Sequence, residues 1–375
     1  MVSVPSFDTG TAAPAVRKPA FAVSFGSGGS GGGMVSALGS AIGVDLGAGG
    51  DKWKNAVLSI SVEAGLAPSV DAATVSLLTG ELAPEYAVDD DGSVSLGYDD
   101  SSTDLAFTGK IDSIRYSVAG RSQITATNGG ARLSRLRVNQ SYEQQKAGDI
   151  IKDLTGRVEV DTDTIEDGID LPFYVVDDRR NAYQHIATLA KKSGLLAFFT
   201  TEGKLSVITF ADGEPLQTFK YGQDILSLQI TDSTPQIGAV STIGDGAAGS
   251  KGADAWGWLV KDPSSVKGSA GDGAANRDFT DSALRSSDAA QTAADAISSG
   301  VQMAQSVGRL LVSGAPAVVV GGSIEVTDAP ADSMNGKFLV RGLRHLYSKR
   351  EGFTTLISFS KTGSGSGSGS LGGLL

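Results

Sequence analysis

The residues able to do chemistry are few and badly spaced for it. The chain has no cysteine and two histidines, His185 and His345, 160 positions apart. That excludes disulfides, thiolate zinc sites, iron–sulfur clusters and a thiol nucleophile. His185 stands four residues from both Asn181 and Leu189, so it has no partner at HExxH spacing. His345 follows Arg344 in a strand-like run; each histidine reads as a structural or exposed side chain. Asp89-Asp90-Asp91-Gly92 has the acidity of a calcium loop, but an EF-hand needs an acid at position one and Glu at position twelve. Those positions are Ala87 and Tyr98, so the tetrad reads as a solvated turn. Asp161, Asp163, Glu166 and Asp167 form a second acidic group, a loop face with weak calcium binding as the alternative. The adjacent pairs Asp99-Asp100 and Asp177-Asp178 do not make an acid/base couple, because such carboxyls must face each other across a cleft. Gly26-x-Gly28-x-x-Gly31 matches a dinucleotide-binding string without the flanking strand, helix and acid that its mechanism requires. There is no GxSxG elbow and no GxxxxGK[ST] loop. The residues therefore point to no catalytic site, no metal and no cofactor.

The elements around these residues are mostly strands. Apolar and polar residues alternate at period two in Leu58-Ile60-Val62, Val94 to Tyr98, Leu105 to Phe107, Ile114-Tyr116-Val118 and Ile124 to Thr127. Asn128-Gly129-Gly130 reads as a turn. A second group runs through Leu205-Val207, Phe219-Tyr221, Leu226-Leu228-Ile230, Ala239 to Ile243 and Trp256-Trp258-Val260. A third covers Val318 to Val320, Ile324 to Val326, Phe338 to Tyr347 and Phe353 to Phe359. Three helices interrupt them. One spans Ala147 to Leu154. A second spans Asn181 to Ser193, with Tyr183, Ile186, Leu189 and Ala190 inward. The third is long and Ala-rich over 281–312, with a stripe of Ala290, Ala294, Ile297, Val301 and Ala304. That stripe suits packing on its own sheet, or a helix contact between subunits.

Length and composition bound the rest. A chain of 375 residues makes two to three domains of ordinary size. Hydrophobic residues at 40% suffice for packed cores, and a net charge of −11 argues against general affinity for nucleic acid or anionic lipid. The N-terminus lacks the basic and apolar regions of an export signal, and no stretch is apolar enough for a membrane helix. Both ends are rich in Gly and Ser. Residues 1–50 read as a flexible Gly-rich arm with apolar islands such as Phe21, Val23 and Phe25, and 363–375 as a Gly/Ser tail. Leu371, Leu374 and Leu375 at its tip are expected to anchor the tail on a neighbouring subunit.

Several segments, in order, resemble a known family. They are Phe107-Thr-Gly-Lys-Ile-Asp112-Ser-Ile114, Gln140-Ser-Tyr142 with Gly148-Asp-Ile-Ile-Lys-Asp-Leu154, and Asp178-Arg-Arg-Asn181-Ala-Tyr-Gln-His-Ile186. Gly203-Lys-Leu-Ser-Val207 and the closing Gly336-Lys-Phe-Leu-Val340-Arg-Gly-Leu-Arg-His345 with Gly352-Phe-Thr-Thr355 follow. Over about residues 55–361 the chain resembles the baseplate central hub proteins of contractile phage tails and contractile injection systems, the late control protein D-like tail hubs. The resemblance implies a mainly β fold: two tail-tube-like antiparallel β-barrels plus a small helix-containing α+β insertion. The boundaries it suggests are 51–140 for the first barrel, 141–222 for the insertion and 223–362 for the second barrel. It implies a non-enzymatic homotrimer that joins a hexameric inner tube to a trimeric spike, contacts other baseplate (wedge) proteins and lines the channel. Membrane and sequence-specific nucleic acid are not expected partners. Assembly would take place in a bacterial or archaeal host cytoplasm, and the product would be a virion tail or injection-particle baseplate. An extracellular β-rich adhesin or carbohydrate-binding module, with Trp256 and Trp258 stacking on sugar, is the alternative.

Overall fold

The computed structural model describes residues 17–26, 49–80, 83–99, 101–211, 213–234, 237–244, 266–273 and 275–362. The first strand, β1 (Pro19–Phe25), is followed by helix α1 (Gly49–Ala56) and by β2 (Val57–Gly65), β3 (Ala72–Leu78), β4 (Asp91–Tyr98), β5 (Asp104–Ser117) and β6 (Arg121–Thr127). They pair in the order β1-β4-β5-β6-β3-β2, all antiparallel. Their period-two residues point to one core: Val57, Ile60, Val62, Val75, Leu77, Val94, Leu96, Ile111 and Ile124 are buried. The segment Phe21 to Phe25, expected within a flexible arm, is an edge strand whose Phe25 is buried in that core. Apolar burial of Phe25 and Val23 offsets the cost of ordering this strand.

A helix-containing unit comes next: α2 (Gly129–Arg135), β7 (Gln140–Lys146), α3 (Ala147–Gly156), β8 (Thr162–Ile165), β9 (Asp170–Val176), α4 (Ala182–Lys192), β10 (Leu196–Phe199) and β11 (Leu205–Ile208). The strands make two small sheets, β7-β9 and β10-β11-β8, around a core of Ile150, Ile151, Leu154, Tyr183, Ile186 and Leu189. Leu133 of α2 is buried in the same core. Asn128 is not a turn residue but the N-cap of α2, its side chain accepting from Gly130 N at 3.0 Å. Helix α4 lies where the pattern places it, because Asn181 and Gln184 close a reciprocal capping box.

The remaining elements are β12 (Gln217–Lys220), β13 (Ile225–Asp232), β14 (Ala239–Gly244), β15 (Lys267–Gly271), β16 (Asn276–Asp281), α5 (Ser287–Gln305), β17 (Ser306–Ser313), β18 (Ser323–Thr327), β19 (Gly336–Ser348) and β20 (Gly352–Lys361). Six of them pair in the order β12-β18-β19-β20-β17-β13 around Phe219, Leu310, Ile324, Phe338, Val340, Ile357 and Phe359. Strands β14, β15 and β16 form a separate sheet under α5. That helix is shorter than 281–312. Residues 306–313 extend into β17, because Leu310 and Val312 bury in the second core while both strand edges pair, with β13 and with β20. Ala289, Ala290, Ala293 and Ala294 are buried, and Thr242 Oγ1 donates to Ala290 O at 2.5 Å. The helix thus lies on its own sheet, while Ala304 is exposed. Val318 and Val320 are buried and Val319 is half-buried, but the segment is irregular rather than strand, bounded by Pro316 and by Gly321 at positive φ.

The two six-stranded groups are one hydrogen-bonded sheet, joined where β2 pairs with β19 from Gly65↔Gly342 to Ser59↔Ser348. The long β19–β20 hairpin serves both cores. Phe338, Val340, Ile357 and Phe359 face the second, and Tyr347 and Phe353 face the first. The first group curls until its outer strands meet the hairpin: the rings of Phe21 and Tyr347 lie 4.8 Å apart and those of Tyr98 and Phe353 5.8 Å. Tyr98 Oη donates to Gly314 O at 3.1 Å. Aromatic contacts, not a strand ladder, make this seam.

Candidate functional site: core junction and exposed rim

The three cores meet at Asp71, just before β3. Its carboxylate is buried and accepts from Gly65 N at 3.0 Å through Oδ1 and from Asn128 Nδ2 at 3.0 Å through Oδ2. Asn128 in turn caps α2, so one carboxyl links the end of β2 to the first helix of the insertion. Nearby, Tyr183 Oη of α4 donates to Ser69 O at 3.0 Å, and the Tyr183 ring meets Phe199 edge-on. Burial pushes Asp71 up to about 7, against the two hydrogen bonds that favour its charged form.

His345 of β19 lies near the same junction, with Nδ1 2.8 Å from Thr355 Oγ1, which also accepts from Ala315 N at 2.9 Å. Burial pushes His345 down to about 4, so its imidazole is neutral at physiological pH. Asp71, Asn128 and His345 line a cavity of about 20 Å³ with Phe107, Phe199 and Val318. That holds roughly one water and no organic substrate. The arrangement clamps elements together: the Thr355 hydroxyl that faces His345 is fully buried and ties β19 and β20 to Ala315.

The sequence candidates do not converge. His185 is buried between Tyr174 Oη at 3.2 Å and Asp177 O at 3.0 Å. In the acidic group, Asp167 pairs with Lys146 at 2.6 Å, and Glu166 accepts from Thr209 N and Oγ1. Asp89 and Asp91 flank Lys110 at 3.6 and 3.5 Å. Asp99 pairs with Lys18 at 2.9 Å. Among the described residues no cluster of His, Asp and Glu has metal-ligand geometry, and no helix is long and apolar enough to cross a membrane. Leu371, Leu374, Leu375, Trp256 and Trp258 lie outside the described residues. Asp71 escaped sequence reasoning because a lone Asp in Val70-Asp71-Ala72 looks like any strand-entry residue.

Large apolar side chains remain exposed at the rim. Tyr116 and Val118 crown the β5–β6 hairpin, and Tyr221 and Leu226 lie on and beside β13. Strand β13 pairs only with β17 among the described strands, leaving its other edge open.

This architecture has solved counterparts. The 43 kDa tail protein of prophage MuSo2 from Shewanella oneidensis superposes with a TM-score of 0.64 at 12% identity, covering 92% of this chain and 98% of that one. A tail protein from Neisseria meningitidis MC58 gives 0.61 at 14% identity, over 82% and 93%. An Escherichia coli type VI secretion system component, described as structurally similar to the T4 bacteriophage tail proteins gp27 and gp5, gives 0.55 at 12% identity, over 81% and 73%. The mainly β fold with a small helical part is therefore that of phage tail proteins. No curated protein matches the chain. One family model does, under a description different from the late control protein D family: the Alg8 N-terminal domain, over residues 57–349. That match spans well over half of the chain, which belongs to the Alg8 N-terminal domain family.

Proposed function

We propose that this chain is a non-enzymatic structural component of a phage tail or contractile injection system, acting as the homotrimeric hub of its baseplate. In this role it joins a hexameric inner tube to a trimeric spike, contacts other baseplate proteins and lines the central channel. One observation carries the reading: a single chain holds two six-stranded units, β1-β4-β5-β6-β3-β2 and β12-β18-β19-β20-β17-β13, fused through β2 and β19. Three such chains present six comparable units, which matches a sixfold partner on one side and a threefold partner on the other. The tail-protein fold of its structural counterparts supports the same role. So does the junction, where Asp71 and His345 beside a small cavity are both buried and hydrogen-bonded. The particle assembles in the host cytoplasm on this reading, and the tail tip with Leu371, Leu374 and Leu375 reaches a neighbouring subunit.

Light scattering coupled to size exclusion, with negative-stain imaging, tests the proposal. A mass of three chains and a ring with six peripheral lobes are expected. A monomer at tens of micromolar that forms no complex with a tube protein refutes it.

A further inference from the structure

Where β2 meets β19, the sheet opens into a groove of about 530 Å³. Arg341, Arg344 and Glu63 line it, with the half-buried Leu66, Val70 and Leu356. Arg309 of β17 is exposed and pairs with Ser358, which also lines the groove and pairs with Gly342. Arg309 and Arg341 are thus two strands apart, about 10 Å at about 4.8 Å per strand. Among the described lining residues Glu63 is the only acid at the outer face, and Arg344 holds it at 3.0 Å. Arg309 and Arg341 meet no carboxylate among the described residues. On a chain of net charge −11 this is a local excess of cations beside apolar surface, which fits an acidic partner with an apolar tip.

The same chain holds such a surface. The loop 85–91, which leads into β4, carries Glu85, Asp89, Asp90 and Asp91, with Lys110 between Asp89 and Asp91 at 3.6 and 3.5 Å. Val88 stands among these acids and is 59% exposed. The loop is tied down at its base. Asp89 N donates to Ile111 O at 2.8 Å, Ile111 N donates to Asp90 O at 2.9 Å, and Ala87 N donates to the Asp90 carboxylate at 2.7 Å. Tyr86 Oη and Ser122 Oγ lie 2.6 Å apart. A loop fixed in this way loses little freedom on docking.

The loop is too far from the groove of its own chain. Asp91 stands in one cross-strand row with Lys110, Thr127, Ala72, Glu63 and Arg344. Five strand spacings separate Asp91 from Arg344, about 24 Å along the sheet. Because loop and groove share a row, rotation carries the loop of one copy to the groove of the next with little rise along the strands. A contact between two different surfaces, repeated by rotation without rise, closes into a ring.

We infer that the loop 85–91 of one copy docks in the arginine-lined groove between β2 and β19 of a second copy. Val88 supplies the desolvated anchor against Leu66 and Leu356, and the carboxylates around it meet Arg309 and Arg341, the usual division of an interface into apolar centre and polar rim. This inference rests on the trimeric reading above and names the two surfaces that make its contact.

Sedimentation or light scattering of the full chain over a concentration series tests it. Arg309→Glu with Arg341→Glu, Glu85→Lys with Asp91→Lys, and Val88→Ser are each expected to raise the midpoint of oligomer dissociation at least tenfold. Placing both charge-reversed pairs in one chain exchanges the signs of loop and groove, and is expected to recover most of that loss. All five positions are exposed, and an unchanged melting transition confirms that the variants fold. An oligomer that all three variants retain at unchanged affinity overturns the docking while leaving the trimer standing. So does a combined variant as weak as the product of its two parts. A wild-type monomer overturns both.

Discussion

Asp71→Asn separates two buried titrations that offset each other in the native chain. Asp71 is raised from 3.8 to about 7, so the folded state holds its proton more tightly than the unfolded chain does. Stability from this group is therefore full below about pH 4 and falls as pH rises through about 7. His345 is lowered from 6.5 to about 4, so here the unfolded chain binds the proton more tightly. Its contribution is lost as pH falls from 6.5 toward 4. At about 1.4 kcal/mol per pKa unit, the two amount to about 4 and about 3 kcal/mol of opposite slope. Between pH 4 and 6.5 they nearly cancel.

Asparagine removes the first slope and leaves the second. It retains an acceptor for Gly65 N but turns a donor or an empty position toward Asn128 Nδ2, a pH-independent cost of about 1–3 kcal/mol. The assay is urea unfolding of both proteins at pH 4, 5, 6, 7 and 8. Subtracting wild type from variant removes the carboxylates they share, Asp153 and Asp167 included. The difference should move in favour of the variant by about 4 kcal/mol from pH 4 to pH 8. A difference that stays constant across that range refutes the account of a buried, protonated Asp71.

Four further outcomes follow from particular contacts. Replacing His345 by Gln should expose the Asp71 slope, so that this variant loses stability from pH 4 to 7, as read by the same unfolding series. Phe353→Ala removes a buried ring that meets both Tyr98 and His345; it should destabilise the chain by about 3–5 kcal/mol in denaturant melts. Gly268→Ala would place a methyl 2.2 Å from Ala290 O and lift α5 off β15; hydrogen exchange should rise in α5 and β14–β16 before it rises in β19 and β20. Tyr142→Phe removes the 2.5 Å hydrogen bond to Asp153 but leaves Arg157 on that carboxylate at 2.8 Å, so a loss of about 1 kcal/mol is expected and a loss above 3 would contradict it.

Much of the local structure was legible in the chain because it answers to neighbours a few residues away. Alternation in β2, β3, β19 and β20 reports which side of each strand is buried. The Asn181–Gln184 capping box starts α4 where the spacing says it should. Failures came where distant residues decide. Val318 to Val320 has strand composition, but Pro316 and Gly321 bend it, and it fills the second core without a ladder. Residues 306–313 continue the pattern of a helix, yet two strands stand ready to pair with both of their edges. Phe21 to Phe25 sits among linker residues and still orders, because β4 offers an edge and the first core a place for Phe25.

By itself the sequence determined that this is a β-rich chain with a capped helical insertion and without cysteine, hence without thiolate or disulfide chemistry. Those properties depend on side-chain type and on period, which are local. Only the tertiary structure decided that both strand groups are one sheet, that β19 and β20 serve two cores, and that Asp71 is a buried clamp. The pairing of Ser59 with Ser348 and of Asn128 with Asp71 joins segments far apart along the chain. Such contacts form only when the whole set of apolar faces is buried together, and no window of sequence contains that condition.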